Sequence, residues 1–172
     1  MSDIKIIDNF LTKEEHQEIY KELSGDTCLF PWFYNEYVNN INDPKDQFQF
    51  CHQFYNMVPT SENFNLVKPL INKLNMTAIA KIKANLLLKT KTPVVFGYHS
   101  DYTWEHKWWT AIYYVNSNNG KTIFEKNKKN VVSKANRLIV FDGRLKHCGT
   151  TSTNSKQRIV INLNFFDQNM GN

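Results

Sequence analysis

His99 and Asp101 stand two residues apart in the segment Phe96-Gly97-Tyr98-His99-Ser100-Asp101-Tyr102. On an extended strand, residues i and i+2 project to the same face, so an imidazole and a carboxylate would point together. Such a pair can share a metal ion, although an exposed His-Asp pair at a strand end is the plainer alternative. A second histidine, His147, follows the apolar run Leu138-Ile139-Val140-Phe141 and the turn residues Asp142-Gly143. If short strands return it beside the first pair, two imidazoles and one carboxylate form a facial triad. A triad leaves three adjacent positions open on an octahedral ion such as Fe(II), enough for a bidentate cosubstrate and O2. For His147 taken alone, a satisfied histidine at a strand end stays open as the alternative.

Arg158 begins a third informative run. Along residues 158–166, Arg158, Val160, Asn162 and Asn164 share one strand face, and Ile159, Ile161, Leu163 and Phe165 share the other. The second row reads as core. The first is polar on a strand that should be largely enclosed. A buried arginine needs an anionic partner, and its planar fork suits a carboxylate. No acid lies on its own strand face, which leaves a ligand carboxylate or a distant Asp or Glu.

Positioning these groups needs a scaffold of short strands. Ile4–Asp8 reads as a strand, and Thr12 with Glu15 forms a capping box for a helix that Gly25 ends. Residues 26–45, with Pro31 and Pro44, read mostly as loop, and Gln47–Met57 as a strand. Thr60-Ser61-Glu62 opens a second helix with Leu66, Leu70, Ile71 and Leu74 at helical spacing. Strand-like runs follow at Ile79–Lys89, Val94–Tyr102, Trp108–Asn116, Lys121–Phe124, Arg137–Phe141 and Arg158–Phe166. Helices first and many short strands after predict an antiparallel sandwich or barrel with the helices packed on one sheet. One domain is expected over 1–172: a strand and helix region over 1–76 packing on the sheet, and a β core over 77–172.

Composition sets the outer bounds. Hydrophobic residues make up 41% and charged residues 22% of the 172, which excludes a disordered chain. The 21 basic and 16 acidic residues permit a nucleic-acid partner without demanding one. Cys28, Cys51 and Cys148 form no CxxC pair, which argues against a disulfide framework or a cysteine-rich zinc site. With no apolar run near membrane-span length and no signal-like start, a cytoplasmic protein with no membrane partner is expected.

In this order, the motifs resemble those of the Fe(II)/2-oxoglutarate-dependent dioxygenases, in the prolyl 4-hydroxylase-like branch, over nearly the whole chain. Ile7-Asp8-Asn9-Phe10-Leu11 resembles the branch's N-terminus, and His99-Ser100-Asp101 its HxD motif. Residues 110–116 and 120–124 resemble its YLN…GGxTxF stretch, with Asn119 in place of the first glycine, and His147-Cys148-Gly149 resembles its H-x-G. The resemblance implies a double-stranded β-helix, or jelly roll, with His99, Asp101 and His147 as iron ligands. It implies that Arg158 binds the distal carboxylate of 2-oxoglutarate, with Tyr113 contacting that same carboxylate and Asn162 lining the pocket. It implies O2 as oxidant, succinate and CO2 as co-products, and hydroxylation of an unactivated C–H bond. The substrate expected is a prolyl or other side chain of a peptide or protein, with a small molecule as the alternative, since no separate peptide-substrate domain is expected.

Tyr102, Trp104, Trp109 and Asn164 are candidates for the substrate cleft, with inter-strand packing as the alternative role for the tryptophans, Trp108 among them. The aromatic segment Phe30–Tyr34 is a candidate cover for a bound proline ring. Asn85 is a candidate cosubstrate contact. His16, His52 and His106 read as ordinary histidines, and Cys148 as a small buried hydrophobe. The five lysines between Lys121 and Lys134 read as a solvated hairpin edge. Two further functions stay open: oxidative demethylation of a nucleic-acid base, and a catalytically silent jelly roll that binds a metal or ligand.

Overall fold

A computed structural model of the protein describes residues 4–25, 29–38, 44, 47–126 and 128–167. Cys28 and most of the expected loop between 38 and 47 lie outside the described residues. The first helix, α1 (Lys13–Ser24), forms as its caps dictate. Thr12 Oγ1 accepts from the Glu15 amide, and the Glu15 carboxylate accepts from the Thr12 amide. Gly25 closes the helix at φ 88°, a left-handed conformation that costs a glycine little. The second helical segment starts as a 3-10 turn over Glu62–Val67, capped by Ser61, before α2 (Lys68–Leu74) takes over. Pro69 in the first turn of α2 has no amide proton to donate back, so the α-helical ladder begins only there.

The strands are β1 (Lys5–Ile7), β2 (Phe33–Asn35), β3 (Gln49–Asn56), β4 (Val58–Pro59), β5 (Ala78–Leu88), β6 (Trp109–Tyr114), β7 (Lys121–Phe124), β8 (Asn130–Val132), β9 (Arg137–Asp142), β10 (His147–Gly149) and β11 (Gln157–Phe166). Among the described residues they form two antiparallel sheets. The major sheet runs β1-β9-β6-β11-β5-β3-β2, with β4 paired to β3, and the minor sheet runs β10-β7-β8. This is the double-stranded β-helix, with helices on the outer face of the major sheet.

Within the stretch read as mostly loop, Phe33–Asn35 forms a short strand paired with β3. One expectation needs correction. The stretch 94–102 is not a continuous strand: only Val95↔Thr150 and His99↔His147 pair, since its neighbour β10 is three residues long. The lysine-rich segment is a hairpin whose second strand, β8, is the free edge of the minor sheet.

Two cores flank the major sheet. On the helix side, Ile19, Leu23 and Leu70 pack against Ile82, Ala84, Ala111, Leu138, Ile161 and Leu163. On the other side, Ile112, Tyr114, Ile139, Phe141 and Val160 meet Phe124 and Val131 of the minor sheet. The second core covers only part of that face. Where it stops, the two sheets enclose a cavity.

Candidate functional site

The cavity, of roughly 330 Å³, has a floor made by β5 and β11 of the major sheet and a roof made by β7, β10 and residues 96–101. His99 and His147 enter it as a reciprocal backbone pair: each amide donates to the other's carbonyl, at 3.0 and 2.9 Å. Their ring centroids lie 4.9 Å apart. Asp101 follows on the same strand-like face, with its Oδ1 3.8 Å from His99 Nε2. One donor atom from each of His99, Asp101 and His147 falls within 4.8 Å of the others.

The neighbours of the triad fix which atoms are free. His99 Nδ1 lies 3.2 Å from the Gly97 carbonyl and His147 Nδ1 3.2 Å from that of Leu145. A carbonyl only accepts, so both protons sit on Nδ1 and both Nε2 lone pairs stay available. Asn164 Nδ2 donates to Asp101 Oδ2 at 2.8 Å and also approaches Thr110 Oγ1 at 3.2 Å, leaving Oδ1 turned to the imidazoles. Burial pushes the Asp101 carboxyl pKa up, but His147, His99, Asn164 and Lys83 together hold it below the usual value. Burial pushes His147 down, which keeps its imidazole neutral and able to ligate. The donor set fits a divalent transition metal with open positions.

At the other end of the cavity Arg158 is 3% exposed. Its Nε donates to Ser133 Oγ at 2.9 Å and an Nη to Thr122 Oγ1 at 3.3 Å, and its guanidinium lies 5.9 Å from the Tyr114 ring centre. Among the described residues no carboxylate pairs with it. Burial therefore works against its charge, with Tyr114 and Cys148 in partial compensation. The backbone is shaped around this side chain. A Cβ at Gly120 would stand 2.5 Å from Arg158 Cδ, and one at Gly149 would stand 3.4 Å from an Nη. Of the two glycine positions in the turn, 120 must stay small. Position 119 instead uses its amide to bind Thr153 and Ser152 across the loop.

Asn162 and Asn85 also line the cavity, and the Oδ1 of each is buried with no donor among the described residues. Tyr113 is a correction. It lies on the opposite face of β6, where its hydroxyl meets His16 Nδ1 at 2.7 Å and donates to Asn136 Oδ1 at 3.1 Å. The tyrosine on the cavity side is Tyr114, whose hydroxyl donates to Thr122 Oγ1 at 2.8 Å. Trp109 shares the face of Tyr113 and packs against the helix-side core, away from the cavity. Tyr102 and Trp104 stack on each other at 3.9 Å, and Trp104 also stacks on Phe166 at 5.1 Å. They form a wall beside Asp101 rather than part of the cavity lining. Asn164 grips Asp101 instead of facing a substrate. Phe30 and Trp32 pack on the helix-side core, so residues 30–34 do not close over the triad.

Lys81, Lys83, Gln49 and Thr122 also line the cavity, and their roles were not singled out by sequence. Lysines on alternate strand positions read as solvent-facing. Only the pairing of β5 with β11, which sets Lys83 opposite Asn162, turns them inward.

No family model and no curated protein sequence matches the chain. Solved structures do. A prolyl hydroxylase from Trichoplax adhaerens, in complex with a hypoxia-inducible-factor oxygen-degradation-domain peptide, superposes with a TM-score of 0.70 at 15% identity, over 96% of this chain and 84% of that one. A prolyl-4-hydroxylase from Pseudomonas putida gives 0.65 at 11% identity, over 97% and 94%. HygX from Streptomyces hygroscopicus, with nickel and 2-oxoglutarate bound, gives 0.61 at 9% identity, over 97% and 84%. The chain thus has the double-stranded β-helix fold of the Fe(II)/2-oxoglutarate oxygenases, in the form seen in prolyl hydroxylases.

Proposed function

We propose that the protein is an Fe(II)- and 2-oxoglutarate-dependent dioxygenase that hydroxylates an unactivated C–H bond. The observation that carries this reading is Arg158: a buried guanidinium with no carboxylate partner among the described residues, opening into the same cavity as two imidazoles and a carboxylate. His99 Nε2, Asp101 Oδ1 and His147 Nε2 would hold the iron. When bound, iron supplies O2 activation, with 2-oxoglutarate as the co-reductant. The balance is R–H, 2-oxoglutarate and O2 giving R–OH, succinate and CO2.

The chain's own residues orient the cosubstrate. Arg158 takes its distal carboxylate. Thr122 Oγ1 already accepts from Tyr114 and Arg158, so its own proton is free to donate to that carboxylate. Ile112, Val160 and Leu87 keep the surroundings apolar, which strengthens the charged contact. The reacting C–H bond belongs to a small molecule or to a peptide side chain. The peptide bound to the Trichoplax prolyl hydroxylase supports the second source.

The test is a calorimetric titration of the Mn(II)-loaded protein with 2-oxoglutarate, followed by Fe(II) turnover in air with succinate detection. Wild type should bind 2-oxoglutarate and form succinate. Arg158→Ala should weaken binding by about 2–5 kcal/mol, as for a truncated buried charge pair. An unchanged dissociation constant in Arg158→Ala would remove the assignment.

A further inference from the structure

Strand β5 carries two lysines into the cavity that holds the triad. Lys81 and Lys83 lie two residues apart on one strand face and line the same space as Arg158. Neither ammonium has an ion-pair partner among the described residues. Lys81 and Lys83 are each half-buried. Burial pushes the Lys83 pKa down and Lys81 adds like-charge repulsion, while Cys51 and Asp101 pull the other way. Asp101 is already committed to Asn164 and the two imidazoles.

These lysines stand at the triad end of the cavity, away from Arg158. Lys83 pairs with Asn162 and Lys81 with Asn164 across the ladder, four and six residues along β11 from Arg158. At about 3.4 Å per residue, the backbone of Lys83 stands roughly 14 Å from that of Arg158. Asp101, held by Asn164, stands level with Lys81, so the two lysines flank the triad end of the cavity while Arg158 holds the opposite end. Charge balance agrees. Among the described residues the cavity is lined by three cationic side chains and one carboxylate. Iron(II) and doubly negative 2-oxoglutarate cancel, so an excess of two positive charges remains.

We infer that Lys83, assisted by Lys81, is a substrate-side anion site, and that the substrate is a small molecule bearing a free carboxylate. The inference rests on the oxygenase reading above and narrows it. The cavity is near the lower end of the ~300–1,000 Å³ typical of small-molecule sites, and the cosubstrate takes part of it. A prolyl residue inside a peptide offers these lysines no anion. A free amino acid does.

The experiment uses Mn(II)-loaded, 2-oxoglutarate-saturated protein titrated with a panel of free amino acids including L-proline, with the same residues acetylated and amidated in short peptides, and with inorganic phosphate. Wild type, Lys83→Met, Lys81→Met and Lys83→Arg are compared. At least one free acid should bind, and its blocked form should bind tenfold more weakly or worse. Lys83→Met should erase that preference and leave the 2-oxoglutarate dissociation constant within twofold. Lys81→Met should reduce the preference, and Lys83→Arg should retain part of it. Without any ligand, Lys83→Met should also melt at a higher temperature, because a half-buried like-charge contact has been removed. A tenfold loss of 2-oxoglutarate affinity in Lys83→Met would assign the lysine to the cosubstrate and overturn the inference. So would equal binding of blocked and free forms, binding of phosphate alone, or no Lys83-dependent binding across the panel. If wild type fails to bind 2-oxoglutarate at all, the oxygenase reading falls, and the ligand-free melting shift still reports on the lysine pair.

Discussion

Strand β11 presents two faces that share a backbone and little else. Ile159, Ile161, Leu163 and Phe165 are fully buried against the helix-side core. Arg158, Asn162 and Asn164 face the other way, into the cavity or its wall. The first face stabilises the fold, each such side chain contributing about 1.5–3 kcal/mol on burial. The second costs stability, since it encloses an unpaired guanidinium and an amide oxygen without a donor. The rigid apolar face holds the polar one in place. Mutations on the two faces should therefore separate stability from chemistry.

The widest separation is expected at Asp101, the one carboxylate of the cavity lining. Asp101→Ala should cut succinate formation by three orders of magnitude or more, about 4 kcal/mol in barrier terms. Its melting temperature should not fall by a comparable amount. Full iron affinity and turnover in this variant would show that the triad is wrongly assigned.

Leu163→Ala attacks the opposite face and should do the reverse. A fully buried leucine in a packed cluster costs about 2–5 kcal/mol when truncated, readable as a lower denaturation midpoint. The 2-oxoglutarate affinity of the molecules that remain folded should stay within a few-fold. If affinity collapses in step with stability, the two faces are not separable.

Asn164 sharpens the contrast from within the polar face, because it acts through Asp101 rather than on a ligand. Asn164→Ala should weaken metal binding by about 10–100-fold, the usual cost of losing a supporting hydrogen bond behind a ligand. The 2-oxoglutarate affinity at saturating metal should hardly change. A purely structural role would shift melting and leave metal affinity alone.

The smallest effect is expected at the sheet edge, where Asp8 accepts from Arg137 Nε at 2.6 Å and from Lys134 at 2.8 Å. These two cations hold its carboxyl well below the usual range. A depressed folded pKa means the stabilisation is present above the ordinary value and is lost as pH falls through the folded one. Because the pair is exposed, Asp8→Asn should cost under about 1 kcal/mol at neutral pH. The gap between variant and wild type should begin to close below about pH 3.9. A gap that is constant down to pH 2 would exclude the ion pair as its source.

The chemistry was more legible in the sequence than its exact surroundings. The capping box of α1 and the two-faced pattern of residues 158–166 rest on local rules that tertiary structure did not override. The convergence of His99, Asp101 and His147 followed from motif order and strand parity together. On β6 the resemblance pointed to Tyr113, and local pattern offered no check. There Thr110, Ala111, Ile112, Tyr113 and Tyr114 are all buried, so neither face is marked by polarity. The choice between Tyr113 and Tyr114 was settled only by pairing with β11. Lys81 and Lys83 were not singled out by sequence, and only the pairing of β5 with β11 sets them on the cavity face.

The backbone pair between His99 and His147 has a consequence for the entropy of metal capture. The two residues are roughly 48 positions apart, from 99 to 147. Bringing such distant points together in a flexible chain costs about 3.4 kcal/mol in loop closure, apart from a constant. Two reciprocal amide-to-carbonyl bonds have closed that loop before any ion arrives. Ion binding then needs only to recruit Asp101, two residues away from a point already held. Affinity can come almost wholly from the metal–donor bonds, and apo and loaded protein should exchange the amide protons of residues 99 and 147 as a linked pair.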